Sequence, residues 1–317
     1  MPKPETQNPT PDNWLEARVV FTPSETAAMA DLIAMAFDDI GCGGVVSEDP
    51  NADVETDWAR DRPAGPTEYA VIGYLPFDHK HEIRLAELKA KLARLEKTEA
   101  VSINLTTTEM AATDWSENWK EFFHPQKISE HLVVRPSWRD YDARPDDIII
   151  TIDPGMAFGT GTHPSTFMCM QLIETYLKKG DNFLDVGTGS GILMITAAKL
   201  GAKRLMGIDN DPEAVEIAQK NLLVNDIDPD LFDVYTGNLV KTVESCFDLI
   251  CANILPKVII PLTPDIPARL KPGGIFISSG IPDNDAADVI EKLNAIGFHI
   301  LETRQKDSWV AMAARLK

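Results

Sequence analysis

Three short segments hold the residues whose types and spacing suit ligand chemistry. In Leu184-Asp185-Val186-Gly187-Thr188-Gly189-Ser190-Gly191, three glycines separate an apolar run from a helical pattern. Such a turn lets the backbone approach a ligand at the carboxyl edge of a sheet, where open α/β folds bind cofactors. Close packing of a strand on a helix would use the same glycines. The pattern is G-x-G-x-G, and the G-x-G-x-x-G fingerprint of nicotinamide dinucleotides fails because residue 192 is Ile192. Gly207-Ile208-Asp209-Asn210 then places Asp209 at a strand tip about 20 residues after the glycines, where an acid can accept hydrogen bonds from both ribose hydroxyls. Helix capping is the other role open to Asp209, although Asn210 and Asp211 already precede Pro212 as caps. Phe247-Asp248-Leu249-Ile250-Cys251-Ala252-Asn253 ends a further apolar run in an amide, a polar tip at the same edge or a turn former. His79, His81, His124, His131, His163 and His299 make no ligand-spaced cluster with cysteines or carboxylates, so no metal is expected.

The elements that must position these residues follow from periodicity. From Asp181 onward strands and helices alternate: strands at 183–186, 204–208, 232–235, 247–252 and 274–279, with helices running to Leu200, Asn225, Leu270 and Ile296. Alternation of this kind predicts a doubly wound, Rossmann-like parallel sheet covered by helices. Residues 298–303 and 309–314 are joined by a short turn and must pair antiparallel at its edge. Residues 12–107 read β-α-β-β-α-β, the order of a small ferredoxin-like α+β domain, with its first helix opened by the capping box Thr22-Pro23-Ser24-Glu25. Within 108–127, Trp115, Trp119, Phe122 and Phe123 recur at helical spacing, giving a linker helix with an aromatic face for docking or for substrate. Residues 128–317 form the ligand-binding domain, and residues 1–11 a frayed tail.

A length of 317 residues suits two domains. With 44% hydrophobic and 25% charged residues the composition is that of a globular protein, excluding disordered, collagenous and disulfide-scaffold classes. The net charge of −19 argues against a nucleic-acid clamp and favours a basic partner, or serves solubility alone. Cys42, Cys169, Cys246 and Cys251 include no C-x-x-C pair and read as reduced core thiols of a cytoplasmic protein. The longest stretch free of charged residues, Pro154 to Ile173, has the length of a membrane span but too much Gly, Thr, Ser, Pro and His for one.

Taken together, the glycine turn, the acid-tipped second strand, the Asn-tipped fourth strand, Lys271-Pro-Gly-Gly274 and the terminal hairpin resemble the class I S-adenosylmethionine-dependent methyltransferases. Asp153-Pro-Gly-Met-Ala-Phe-Gly-Thr-Gly-Thr-His-Pro-Ser-Thr166, the 115–123 helix, Val134-Arg-Pro-Ser-Trp138, Asn253-Ile-Leu and Ser279-Gly-Ile281 are similar to the bacterial methyltransferases of large-subunit ribosomal protein eleven. The resemblance implies transfer of methyl groups from S-adenosylmethionine to α-amino and lysine ε-amino groups of that protein, up to the trimethyl state, with the front domain recognising it. It implies cofactor contacts from Thr166, Gly187, Asp209 and Asn253, alongside Gly189, and makes 154–173 a cofactor-covering loop running into a helix. Phe158 becomes a candidate gate over the sulfonium by cation–π attraction, and His163, beside Pro164, a residue that orders the loop. Asn253 is the expected catalytic residue, its carbonyl and the backbone near Ile254 and Leu255 aiming the amine. A monomer without membrane or nucleic-acid contact is expected. Methylation of lysines on another protein, or S-adenosylmethionine binding without catalysis, are the competing functions. The chain departs from the family's N-I-L-A at Pro256, which bears on the backbone of the substrate loop.

Overall fold

The computed structural model describes residues 13–22, 29–40, 42, 45–48, 50, 67–78, 80–99, 101–111, 124–153, 163–237, 240 and 243–316. The chain divides into two compact units, Met1–Phe122 and Phe123–Lys317.

The N-terminal unit runs β1 (Asn13–Phe21), α1 (Met29–Asp38), β2 (Val45–Glu48), β3 (Ala70–Pro76), α2 (His81–Glu99) and β4 (Ile103–Ala111). Its sheet has the order β2-β3-β1-β4, with every neighbour antiparallel. Alternation along β1 sends Leu15, Ala17, Val19 and Phe21 into the core with Ile33, Phe37, Leu88 and Leu92 of the helices. Strand β4 outruns its expected end: the ladder continues to the pair Asn13↔Ala111. Residues 108–111 are therefore extended rather than helical, because β1 offers them backbone partners. Residues 112–123 of the expected linker helix, with Trp115, Trp119, Phe122 and Phe123, lie outside the described residues, as do the tail, most of the 22–25 capping box and Phe158, while at its far end Gln126–Lys127 form a strand rather than helix.

The C-terminal unit opens with a three-stranded sheet, β5 (Gln126–Lys127), β6 (Leu132–Arg135) and β7 (Ile148–Thr151). Then come α3 (Pro164–Tyr176), β8 (Asn182–Val186), α4 (Ile192–Lys199), β9 (Arg204–Asp209), α5 (Pro212–Val224), β10 (Phe232–Thr236), β11 (Phe247–Asn253), α6 (Pro256–Leu262), β12 (Leu270–Pro282), α7 (Ala286–Ala295), β13 (Phe298–Lys306) and β14 (Trp309–Leu316). The seven-stranded sheet has the order β10-β9-β8-β11-β12-β14-β13. It is parallel from β10 to β12, and β14 pairs antiparallel with both β12 and β13. Successive residues of β11 feed opposite cores: Leu249 and Cys251 pack towards α3, α4 and α5, Ile250 and Ala252 towards α6 and α7. A strand buried on both faces accounts for the unbroken apolar run.

The helix expected up to Leu270 is short. Pro261, Pro264 and Pro267 remove backbone donors, so regular helix stops at Leu262 and 3-10 turns at Thr263–Asp265 and Pro267–Arg269 complete the connection. Cys42, Cys169 and Cys251 are buried thiols, whereas Cys246 is exposed, at a bend just ahead of β11. No helix among the described residues is long and apolar enough to cross a membrane, and no group of three or more His, Cys, Asp or Glu among them could hold a metal.

Candidate functional site

The sheet order makes β8 and β11 neighbours and puts the glycine turn where the chain reverses its winding direction, the crevice in which doubly wound folds hold ligands. Gly187, Gly189 and Gly191 all take positive φ, 75°, 52° and 79°. A Cβ on Gly191 would stand 3.1 Å from Ala218 of α5, and one on Gly187 only 2.5 Å from Ile254 Cγ2, so both glycines admit close packing. The Gly187 and Thr188 amides donate to the Ile208 carbonyl at 2.8 and 3.1 Å, tying the turn to β9.

Asp209 completes that tie. Its Oδ2 accepts from the Gly189 amide at 2.9 Å and its Oδ1 from Asp211 at 3.1 Å. Asp211 itself caps α5 through Glu213, which leaves Asp209 free of the capping role. Each carboxylate oxygen of Asp209 retains a lone pair for a further donor.

Thr166 and Asn253, 87 residues apart, meet directly: Asn253 Nδ2 donates to Thr166 Oγ1 at 3.1 Å. His163 and Pro164 explain why Thr166 stands there. Proline at the first helical position suits α3, and His163 caps the helix by accepting the Ser165 amide at its Nδ1. The His163 ring lies edge-on to buried Trp309, 4.7 Å between centroids, so it serves order at the helix start. Asn253 Oδ1 is buried with no hydrogen-bond partner among the described residues. A buried amide oxygen without a donor costs about 1–3 kcal/mol, which an incoming N–H would relieve.

Asp185 is a further candidate that the glycine spacing alone does not reveal. It is wholly buried, accepts from the Thr188 hydroxyl at 2.9 Å through Oδ2, and leaves Oδ1 without a partner among the described residues. Burial pushes its carboxyl up to about 8, the Thr188 hydrogen bond opposes that, and the charge of Asp209 adds to it. The signal was present as a lone acid between Leu184 and Val186, in the apolar part of the strand.

Pro256 is benign. It occupies the first turn of α6, and Leu255 before it is extended at φ −63°, ψ 150°, the conformation a following proline favours. The Leu255 carbonyl accepts the amides of Val258 and Ile259 at 2.9 and 3.0 Å. It is therefore engaged in the helix, whereas Asn253 Oδ1 has no donor among the described residues.

A glycine turn, a carboxylate at a strand tip and the buried Asp185 Oδ1, without a donor among the described residues, fit a cofactor that combines a ribose with a cationic amino-acid end. A model of the family described as ribosomal protein L11 methyltransferase (PrmA) matches residues 13–317. The ribosomal protein L11 methyltransferase of Desulfosudis oleivorans is 44% identical over 306 residues, covering 95% of this chain and 98% of its own. That of Pelotomaculum thermopropionicum is 41% identical, covering 96% and 99%. The crystal structure of a ribosomal protein L11 methylase from Lactobacillus delbrueckii subsp. bulgaricus superposes with a TM-score of 0.58 at 35% identity, covering 62% of this chain and all of that one.

Proposed function

Since the chain belongs to the ribosomal protein L11 methyltransferase family, we propose that it moves methyl groups from S-adenosylmethionine to α-amino and lysine ε-amino groups of ribosomal protein L11. The cofactor supplies a methyl group on a sulfonium, open to in-line displacement by a neutral amine. In this reading Asp209 holds the ribose hydroxyls, Asp185 the ammonium of the methionine end, and Gly187 and Gly189 let the backbone approach. Thr166 stands in the first turn of α3, where free amides favour a carboxylate. Phe158, outside the described residues, remains the proposed gate.

The chain's task at the reacting nitrogen is positioning. A lysine amine titrates near 10.4 in water and must lose its proton to attack, yet Asn253 is no base. Its buried Oδ1 can accept an N–H of the neutral amine and point the lone pair at the methyl carbon, with the proton leaving to water. The observation that carries this mechanism is that orphaned oxygen, fixed from the other end of the amide by Thr166.

The N-terminal unit, whose β-α-β-β-α-β order is that of a ferredoxin-like motif, is the part we assign to substrate recognition. The enzyme is taken as a cytoplasmic monomer, its net charge of −19 favouring a basic protein partner over nucleic acid. Labelled methyl transfer to purified ribosomal protein L11 tests the reading. An unlabelled L11 beside another labelled protein from the same extract would replace the substrate, and cofactor binding without any transfer would replace the activity.

A further inference from the structure

The Ile254 residue that follows Asn253 is wedged between two glycines from separate elements. On one side a Cβ at Gly187 would stand 2.5 Å from Ile254 Cγ2. On the other, a Cβ at Gly280 would stand 2.7, 2.9 and 3.0 Å from the carbonyl oxygen, carbonyl carbon and amide nitrogen of Ile254. Those are backbone atoms, unable to swing aside as a side-chain end could. Gly280 takes φ 76°, and the register between β12 and β14 shifts between Ser278 and Ile281, marking a bulge. The same bulge holds three further partners. The Ser279 carbonyl accepts the Ile254 amide at 3.1 Å, and the Ser279 hydroxyl reaches the carbonyls of Ser165 and Val310, both at 3.3 Å. Ser165 adjoins Thr166, the partner of Asn253.

Resting on the function proposed above, we infer that the Ser279–Gly280 bulge is a positioning device for methyl transfer. It sets the Ile254 backbone, and hence Asn253, against both the glycine turn and the start of α3. Gly280 touches no reactant in this scheme. It permits a backbone-to-backbone approach that any side chain would widen by several tenths of an ångström, and a displacement of that order at the amine acceptor costs rate more than affinity.

The test uses the full chain with S-adenosylmethionine and ribosomal protein L11. Gly280→Ala is expected to lower kcat by about 100-fold, while cofactor Kd by calorimetry and KM for the protein substrate each change less than about threefold. The two glycines also separate by a second substitution. Ile254→Ala removes the Cγ2 atom that Gly187→Ala would strike, so the double variant at 187 and 254 recovers part of the lost rate. Gly280→Ala clashes with backbone and gains nothing from Ile254→Ala. Wild-type kcat in Gly280→Ala, or rescue of it by Ile254→Ala, overturns the inference. If Gly280→Ala does not fold, Ser279→Ala decides: it keeps the bulge backbone and should lose kcat about 3- to 10-fold at unchanged cofactor Kd, and full kcat there overturns the inference equally. A wild-type enzyme that labels no L11 would instead strike the parent reading.

Discussion

Asn253 Nδ2 donates to Thr166 Oγ1 at 3.1 Å, and the buried oxygen at the other end of the same amide has no donor among the described residues. The helix that carries Thr166 thus chooses the orientation of the amide on β11.

Asn253→Ala should lower kcat by about 100-fold with little change in cofactor Kd. The loss should also depend on the methylation step. A neutral primary amine offers two N–H groups, a monomethylamine one and a dimethylamine none, so help from Asn253 fades as methyls accumulate. Single-turnover mass spectrometry should find the first transfer slowed most. Equal slowing of all transfers would remove Asn253 from the role of amine acceptor.

Asp209→Ala removes the acceptor for two backbone amides as well as for the proposed ribose contact. Charge-assisted hydrogen bonds are each worth about 1.5–3 kcal/mol, so cofactor Kd should weaken by about 10- to 100-fold. Asp209→Asn should fall between the two. Calorimetry showing an unchanged Kd in Asp209→Ala would mean that the carboxylate serves the glycine turn alone.

Asp185 gives a pH dependence of unusual sign. Burial raises its carboxyl to about 8 in the folded chain against an ordinary 3.8. Between these values the unfolded chain has lost this proton and the folded chain keeps it. The contribution to stability is therefore full below pH 3.8 and is lost as pH rises through about 8. Many other carboxylates titrate, so the comparison is with Asp185→Asn: urea midpoints of wild type should decline relative to the variant across that window. A cationic ammonium at Asp185 draws the carboxyl into its ionised form, so cofactor affinity should rise with pH between about 5 and 7 with proton release approaching one. Calorimetry in two buffers of different ionisation enthalpy reads that proton. Equal slopes in wild type and Asp185→Asn would place the ammonium elsewhere.

The catalytic sheet was legible because its strands are buried on both faces: runs such as Phe247–Asn253 admit little but apolar residues, and their polar tips stand out. Gly187, Asp209 and Asn253 were visible for that reason. Chain-distant relations were not, since nothing local in Thr166 announces a partner 87 residues away, or in Gly280 the backbone of Ile254. Asp185 was obscured because an acid inside a strand has several structural uses until its unpaired oxygen is seen. The short α6 escaped periodicity because its spacing continues across Pro261, Pro264 and Pro267, which the backbone cannot follow as regular helix.

Pro256 separates backbone rigidity from chemistry. Its fixed φ and missing N–H suit the first turn of α6, and it narrows the choices open to Leu255 in the unfolded chain. Pro256→Ala should therefore destabilise by about 0.4–1 kcal/mol, through greater entropy of the unfolded state. The α6 bonds from Val258 and Ile259 to Leu255 survive the change, as does the bond from the Ile254 amide to Ser279. Asn253 should keep its place and kcat should stay within about twofold. Urea unfolding and single-turnover transfer measure the two effects separately. A higher midpoint in Pro256→Ala would show that proline strains the loop, and a large fall in kcat at unchanged stability would show that it aims Asn253 as well.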